Sequence, residues 1–114
     1  MFADYRVPQI LHHLRLLTYA PALTCTLRAR ELLVSGAARE EIAIRAASVV
    51  AVERVAAALR RVDGEAGAAR EVSSVLIDFF LWDLAKRIEE GQERIEGIKT
   101  QAMLPAHRTR SIWY

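Results

Sequence analysis

One carboxylate in this sequence sits where carboxylates are rarely found. Asp78 lies in Val75-Leu76-Ile77-Asp78-Phe79-Phe80-Leu81-Trp82-Asp83, and seven of its eight neighbours within four positions are apolar or aromatic, Ser74 being the exception. A mid-helix carboxylate in that setting loses hydration unless something pairs with it, and burial raises its pKa. It could therefore be a catalytic group poised in an apolar, aromatic-lined pocket. The ordinary alternative is a thin polar stripe, or a pair with an arginine such as Arg6 or Arg45. Asp83 follows five positions on, about 140° around a helix of 3.6 residues per turn. The two carboxylates can flank a pocket but cannot form a same-face pair. Trp82 falls on the Asp78 side and Phe79 on the Asp83 side. Aromatic faces beside carboxylates suit a planar, nitrogen-rich heterocycle, which stacks on the ring and donates its N–H groups to the acid. An aromatic core stripe is the plainer reading of the same residues.

A second polar group opens the chain in Phe2-Ala3-Asp4-Tyr5-Arg6-Val7-Pro8-Gln9. Pro8 suits the first turn of a helix, so Asp4, Tyr5 and Arg6 lie at or just before a helix N-terminus, where orphan N–H groups gather. Asp4 could serve there simply as a cap, with Arg6 as its ion-pair partner. His12 and His13 are adjacent and face different directions, so they cannot share a metal, and no other metal-ligand spacing is present. No glycine-rich phosphate loop of the known kinds occurs. Cys25 has no neighbouring base in sequence and reads as a core thiol.

Helices must carry these groups. Residues 9–18 place Ile10, Leu11, Leu14 and Leu17 on one face of a 3.6-residue period. Residues 21–34 give a second helix with Leu23, Leu27 and Leu32 or Leu33 inward and Gly36 as the residue beyond its end. The connection is short, which predicts a hairpin. Residues 39–61 form the longest pattern, with Glu40 and Glu41 in the first turn and Arg60 and Arg61 in the last. It is apolar nearly all round, which predicts a central helix, and Ala56, Ala57 and Ala58 permit a close neighbour. Residues 62–69, with Gly64 and Gly67, read as the flexible connection. A fourth helix is expected over 71–90, stopping at Gly91. Residues 92–102 are polar, a frayed turn at most, and the tail ending Ile112-Trp113-Tyr114 is apolar enough to dock back on the body. No strand pattern or repeat is present, so the expected fold is all-α: a single domain of about four helices over residues 1–114.

A length of 114 residues with 53% hydrophobic content supports one modest core. Sixteen basic against fourteen acidic residues leave a formal charge of only +2, too little for a nucleic-acid-grade surface. One cysteine excludes an internal disulfide and fits a reducing compartment. No stretch is apolar over the roughly 18 residues a membrane span needs, and no leader pattern opens the chain. A cytoplasmic protein without a membrane partner is expected.

Five ordered blocks add a resemblance. They are 2–9 as above; Glu41-Ile42-Ala43-Ile44-Arg45-Ala46; Ala51-Val52-Glu53; Ile77-Asp78 with Leu81-Trp82-Asp83; and Pro105-x-His107-Arg108-Thr109-Arg110-x-Ile112-x-Tyr114. Together they resemble the C-terminal part of the queuosine salvage protein family, the queuosine 5′-monophosphate N-glycosylase/hydrolases, over nearly the whole chain. The resemblance implies an all-helical fold similar to helix-hairpin-helix DNA glycosylases. It implies hydrolysis of the N-glycosidic bond of queuosine 5′-monophosphate, releasing queuine, a 7-deazaguanine base, for tRNA modification. No metal or organic cofactor is implied. Asp78 would be the catalytic carboxylate, as nucleophile or as stabiliser of an oxocarbenium-like transition state. Asp4 would accept N–H donors from the base, with Phe2 and the segment from Phe79 to Asp83 helping to hold it. This chain departs from the pattern at Ala43, where the family often has a glutamate. The family is also much longer, and its N-terminal part, which supplies pocket wall and phosphate contacts, has no counterpart here. Apolar surface left by that difference predicts association, with a second copy or with another chain.

Two other readings stand beside the glycosidase. A non-catalytic helical module would bind queuine or a partner chain without turnover. A small helical nucleic-acid binder would draw on the glycosylase-like fold, but the near balance of charge weakens it.

Overall fold

A computed structural model describes residues 4–33, 38–67 and 71–110. Among them are four helices: α1 (Arg6–His13), α2 (Pro21–Arg28), α3 (Ala38–Glu65) and α4 (Ser74–Glu89). The all-α expectation is borne out. The expected roles of Gly36 and of Ile112-Trp113-Tyr114 lie outside the described residues.

The centre of the molecule is the short α1. Val7, Ile10 and Leu11 are at most 1% exposed, and Pro8, Gln9 and His12 are buried with them. They pack against Ala51, Val52 and Ala56 of α3 and Ile77, Leu81, Leu84 and Ala85 of α4. Ala56 is the close-contact alanine anticipated in α3, whereas Ala57 faces solvent. The expectation that α3 would be central is corrected. Its covered stripe is Ile44, Ser48, Ala51, Val52 and Ala56, an i, i+4, i+7, i+8, i+12 series on one side of the helix. Ile42, Val50 and Val62 are half-exposed or more on the others. Apolar residues all round a helix did not bury it on all sides.

Helix ends explain the remaining differences. Leu16 N–H donates to Leu11 O and Arg15 N–H to His12 O, the two bonds of a Schellman motif, with Arg15 at φ 63. The same pair of bonds closes α2, from Glu31 to Thr26 and from Arg30 to Leu27, with Arg30 at φ 55. Arginine gives no sequence warning of a left-handed stop, so α1 and α2 end well short of residues 18 and 34. α4 uses the glycine that the sequence offers: Gly91 at φ 70 donates to Ile88 O, and Gln92 to Arg87 O. At its other end, Ser73 Oγ accepts from Leu76 N–H at 3.3 Å, so α4 starts at Ser74 rather than at residue 71. α3 runs through Gly64 to Glu65, because one glycine costs only about 1 kcal/mol in a helix this long.

The α1–α2 hairpin is not formed. Among the described residues, the helix pairs in extensive contact are α1 with α4, α1 with α3 and α3 with α4. α2 buries only Leu27, and Cys25, two positions away on the helix, is exposed rather than a core thiol. The link to α1 is made instead by Tyr19, whose ring stacks on His12 at 4.6 Å and whose hydroxyl donates to Pro8 O.

Residues 101–110 lie against the body. Gln101 N–H donates to His13 O at 3.0 Å, Leu104 is buried, and Leu33 N–H donates to Arg108 O at 2.8 Å. Gln9 Nε2 reaches Leu104 O at 2.9 Å. No helix of the described residues is long and apolar enough to cross a membrane.

Candidate active site

Asp4 caps α1, as its position suggested: Oδ1 accepts from the N–H of Arg6 at 2.9 Å and of Val7 at 3.3 Å. That fixes the carboxylate by backbone alone and sets it beside α4. Asp78 comes from the buried side of α4, next to Ile77 and Leu81, and is 6% exposed. Asp4, Asp78, Phe79 and Trp82 line one cavity of about 310 Å³. That volume falls in the range of small-molecule sites, about 300–1,000 Å³. Two residues 74 positions apart thus meet across an aromatic slot.

Arg6 does not pair with Asp4 through its side chain. Its Nη1 donates to Glu89 Oε2 at 2.6 Å, and its guanidinium lies 5.2 Å from the Trp82 ring centroid and 5.6 Å from that of Tyr5. Burial pulls its pKa down, but the hydrogen bonds and charges of Glu89 and Tyr5 more than offset this and hold it above the ordinary value. Asp83 is exposed and pairs with Arg87 at 3.0 Å, while Arg87 also reaches Glu93 at 2.9 Å. It does not line the cavity among the described residues, in keeping with its place about 140° from Asp78. Phe79 does line it, alongside Trp82: the two are three positions apart, about 60° around the helix, so both rings face the slot. Phe2 lies outside the described residues.

The last sequence block contributes residues to which pattern reading gave no role. His107 is 7% exposed. Burial lowers its pKa, helped by Arg45, while Glu41 and Asp4 pull the other way without prevailing, so the imidazole is neutral near pH 7. Thr109 Oγ1 donates to Glu41 Oε2 at 2.7 Å, and Glu41 also faces Arg45 at 3.9 Å. The blocks at 2–9, 41–46, 77–83 and 105–114 therefore supply residues to one end of the fold. No spacing rule could have shown that, because each contact spans dozens of residues.

A larger cavity of about 550 Å³ lies between α2 and the start of α3, lined by Tyr19, Leu23, Leu32, Glu40, Ala43 and Ile44 among others. Its wall is mostly apolar and contains neither Asp4 nor Asp78. Ala43, where a glutamate was anticipated, opens onto the larger cavity. Among the described residues no three His, Cys, Asp or Glu side chains are grouped to hold a metal ion.

The family model for the queuosine salvage protein matches residues 1–114. This chain belongs to the queuosine salvage protein family. It is 41% identical over 113 residues to the queuosine 5′-phosphate N-glycosylase/hydrolase of Sphaerobacter thermophilus, covering 99% of this chain and 29% of that protein. The proteins of the same name from Mus musculus and Schizosaccharomyces pombe are 40% and 38% identical, over 100% of this chain and 31% and 30% of their own lengths. The chain thus spans about a third of the curated relatives that it matches. Within the family frame, the matched third contains both carboxylates and both rings of the smaller cavity.

Proposed function

We propose that this chain carries the base-binding slot and catalytic carboxylate of a hydrolase that cleaves the N-glycosidic bond of queuosine 5′-monophosphate and releases queuine. The observation that supports it most is the cavity shared by Asp4, Asp78, Phe79 and Trp82 in a member of this family. Phe79 and Trp82 offer faces to a planar base, and Asp4, held by two backbone N–H groups, offers an acceptor to its N–H donors. The family resemblance also names Phe2 and Asp83 for the base; Asp83, paired with Arg87 outside the cavity, would have to leave that pair to reach it. As the glycosidic bond breaks, positive charge grows on the ribose. A buried carboxylate at Asp78 stabilises that charge or attacks the anomeric carbon, and a dry, low-dielectric site strengthens the effect. The base leaves as its glycosidic nitrogen takes up a proton. Water delivers its hydroxyl to the anomeric carbon, displacing the Asp78 carboxylate where that has bonded, to give ribose 5-phosphate; the proton that water sheds balances the one the base takes. No cofactor enters this scheme.

The test is release of queuine from queuosine 5′-monophosphate by the chain and by Asp78→Asn. Loss of a preplaced charge-stabilising group costs about 100- to 1,000-fold in rate. Turnover unchanged by Asp78→Asn would overturn the assignment.

A second reading is favoured by the share of relatives spanned and by the exposed Val75, Leu76, Phe79 and Phe80 on α4. In it, this chain is the family's C-terminal domain, and it binds base but turns over only with the remaining polypeptide. The same apolar surface supports association with a second copy or another chain. Sedimentation as a monomer at all micromolar concentrations would remove that proposal. A cytoplasmic setting is consistent with one exposed, unbridged cysteine.

A further inference from the structure

We infer that Arg6 is the positioning residue of the stacking wall: clamped by Glu89, its guanidinium holds the Trp82 indole in place while its backbone N–H holds Asp4. The role rests on the function proposed above, in that the ring is taken to stack on the base.

Arg6 touches both walls of the cavity without lining it. Through its N–H it fixes the Asp4 carboxylate at 2.9 Å, and through its side chain it reaches Trp82 at 5.2 Å, within the about 6 Å over which a cation attracts an aromatic face. Trp82 is 36% exposed, so neighbouring side chains alone leave its ring room to swing. Three groups stop the guanidinium itself from swinging. Glu89 Oε2 accepts from Nη1 at 2.6 Å, the Tyr5 ring lies 5.6 Å away, and Glu89 is in turn held by Gln9 Nε2 at 3.1 Å. Gln9 is anchored to Leu104 O at 2.9 Å, so the support reaches the docked C-terminal segment. A plain surface ion pair would do little for the fold. This one is placed where a planar cation can press on an aromatic wall, a task that a lysine point charge does less well. The benefit is preorganisation: a ring already held in its binding orientation loses less freedom when a base arrives.

The experiment uses the full 114-residue chain carrying Trp113→Phe, which leaves Trp82 as the one remaining tryptophan of the two. Acrylamide quenching reports the freedom of the ring without ligand, and a fluorescence titration with queuine reports affinity. In this background Arg6→Met should raise the quenching constant and weaken queuine binding about fivefold, with Arg6→Lys between it and the parent. Glu89→Gln should move both readouts in the same direction by less. Quenching and affinity unchanged in Arg6→Met would overturn the inference. If Arg6→Met loses its helical signal, Glu89→Gln decides in the same two assays, and unchanged values there overturn it equally. A parent protein that takes up no queuine would count against the proposed function, and the quenching constant alone would then decide the role of Arg6.

Discussion

Gln9 makes the most exacting test of how this fold is tied together. It is 5% exposed on the central helix, and one amide nitrogen serves two acceptors: Leu104 O at 2.9 Å and Glu89 Oε1 at 3.1 Å. Gln9→Met keeps the unbranched stem and nearly the volume, and deletes the donor. The bond to Leu104 is buried, so its loss removes about 1 kcal/mol and strands a carbonyl at a further cost of about 1–3 kcal/mol, less whatever water recovers. The bond to Glu89 reaches a carboxylate that is 44% exposed, and counts for under about 1 kcal/mol. The apolar tip of methionine returns part of this, leaving about 1–3 kcal/mol net. Urea unfolding followed by helical circular dichroism gives the total. Amide exchange locates it: the N–H groups of Gln101 and Leu33, bonded to His13 O and Arg108 O, should lose protection before those of α3. An unfolding midpoint equal to the parent, with Gln101 and Leu33 still protected, would refute the view that Gln9 anchors residues 101–110.

Arg15→Gly and Arg30→Gly should each stabilise the chain by about 0.5–1 kcal/mol, since glycine accepts the left-handed conformation at these two helix ends without a Cβ penalty; thermal melts that fall would show the arginine side chains matter more. Burial lowers the pKa values of both His12 and His107, so between the ordinary histidine value of about 6.5 and the lower folded values the unfolded chain binds more protons. Stability is then full above about pH 6.5 and falls as pH drops through that window; His107→Gln should flatten the decline measured by urea midpoints across pH. Leu11→Ala, at a residue that is 0% exposed, should cost about 2–5 kcal/mol in the same assay.

What the sequence revealed was decided by the range of the physics involved. Gly91 and the acidic first turn of α3 are local signals, and they mark those helix ends well. Arg15 and Arg30 take a backbone conformation that their own chemistry does not advertise, so two helix ends were misjudged. Hydropathy identified the apolar residues of α3 but not how many neighbours would cover them, and the short α1 took the centre instead. For the site, Asp78 stood out because a carboxylate among aromatics needs a reason, and Asp4 because it precedes a helix start. That the two share a cavity with Phe79 and Trp82 depends on the α1–α4 packing, which periodicity does not specify. His107 stood in the last of the ordered blocks and Glu89 in none, and neither had a role until Glu41, Asp4 and Arg6 came near them.

Placing a short and the most deeply buried helix so far ahead of its partners has a consequence for how the molecule assembles. The contacts that secure α1 join Arg6 to Glu89 and Gln9 to Leu104, separations of 83 and 95 residues. An eight-residue helix is marginal on its own in water, so α1 gains little from forming early. Its apolar face must wait until α3 and α4 can close a long loop upon it. Folding should accordingly be slow for an all-helical protein, nearer the pace of chains dominated by distant pairings. During synthesis the cover of Val7, Ile10 and Leu11 stays incomplete until α4, with Ile77, Leu81, Leu84 and Ala85, has followed α3 out of the ribosome, which leaves this apolar segment open to wrong contacts in the meantime.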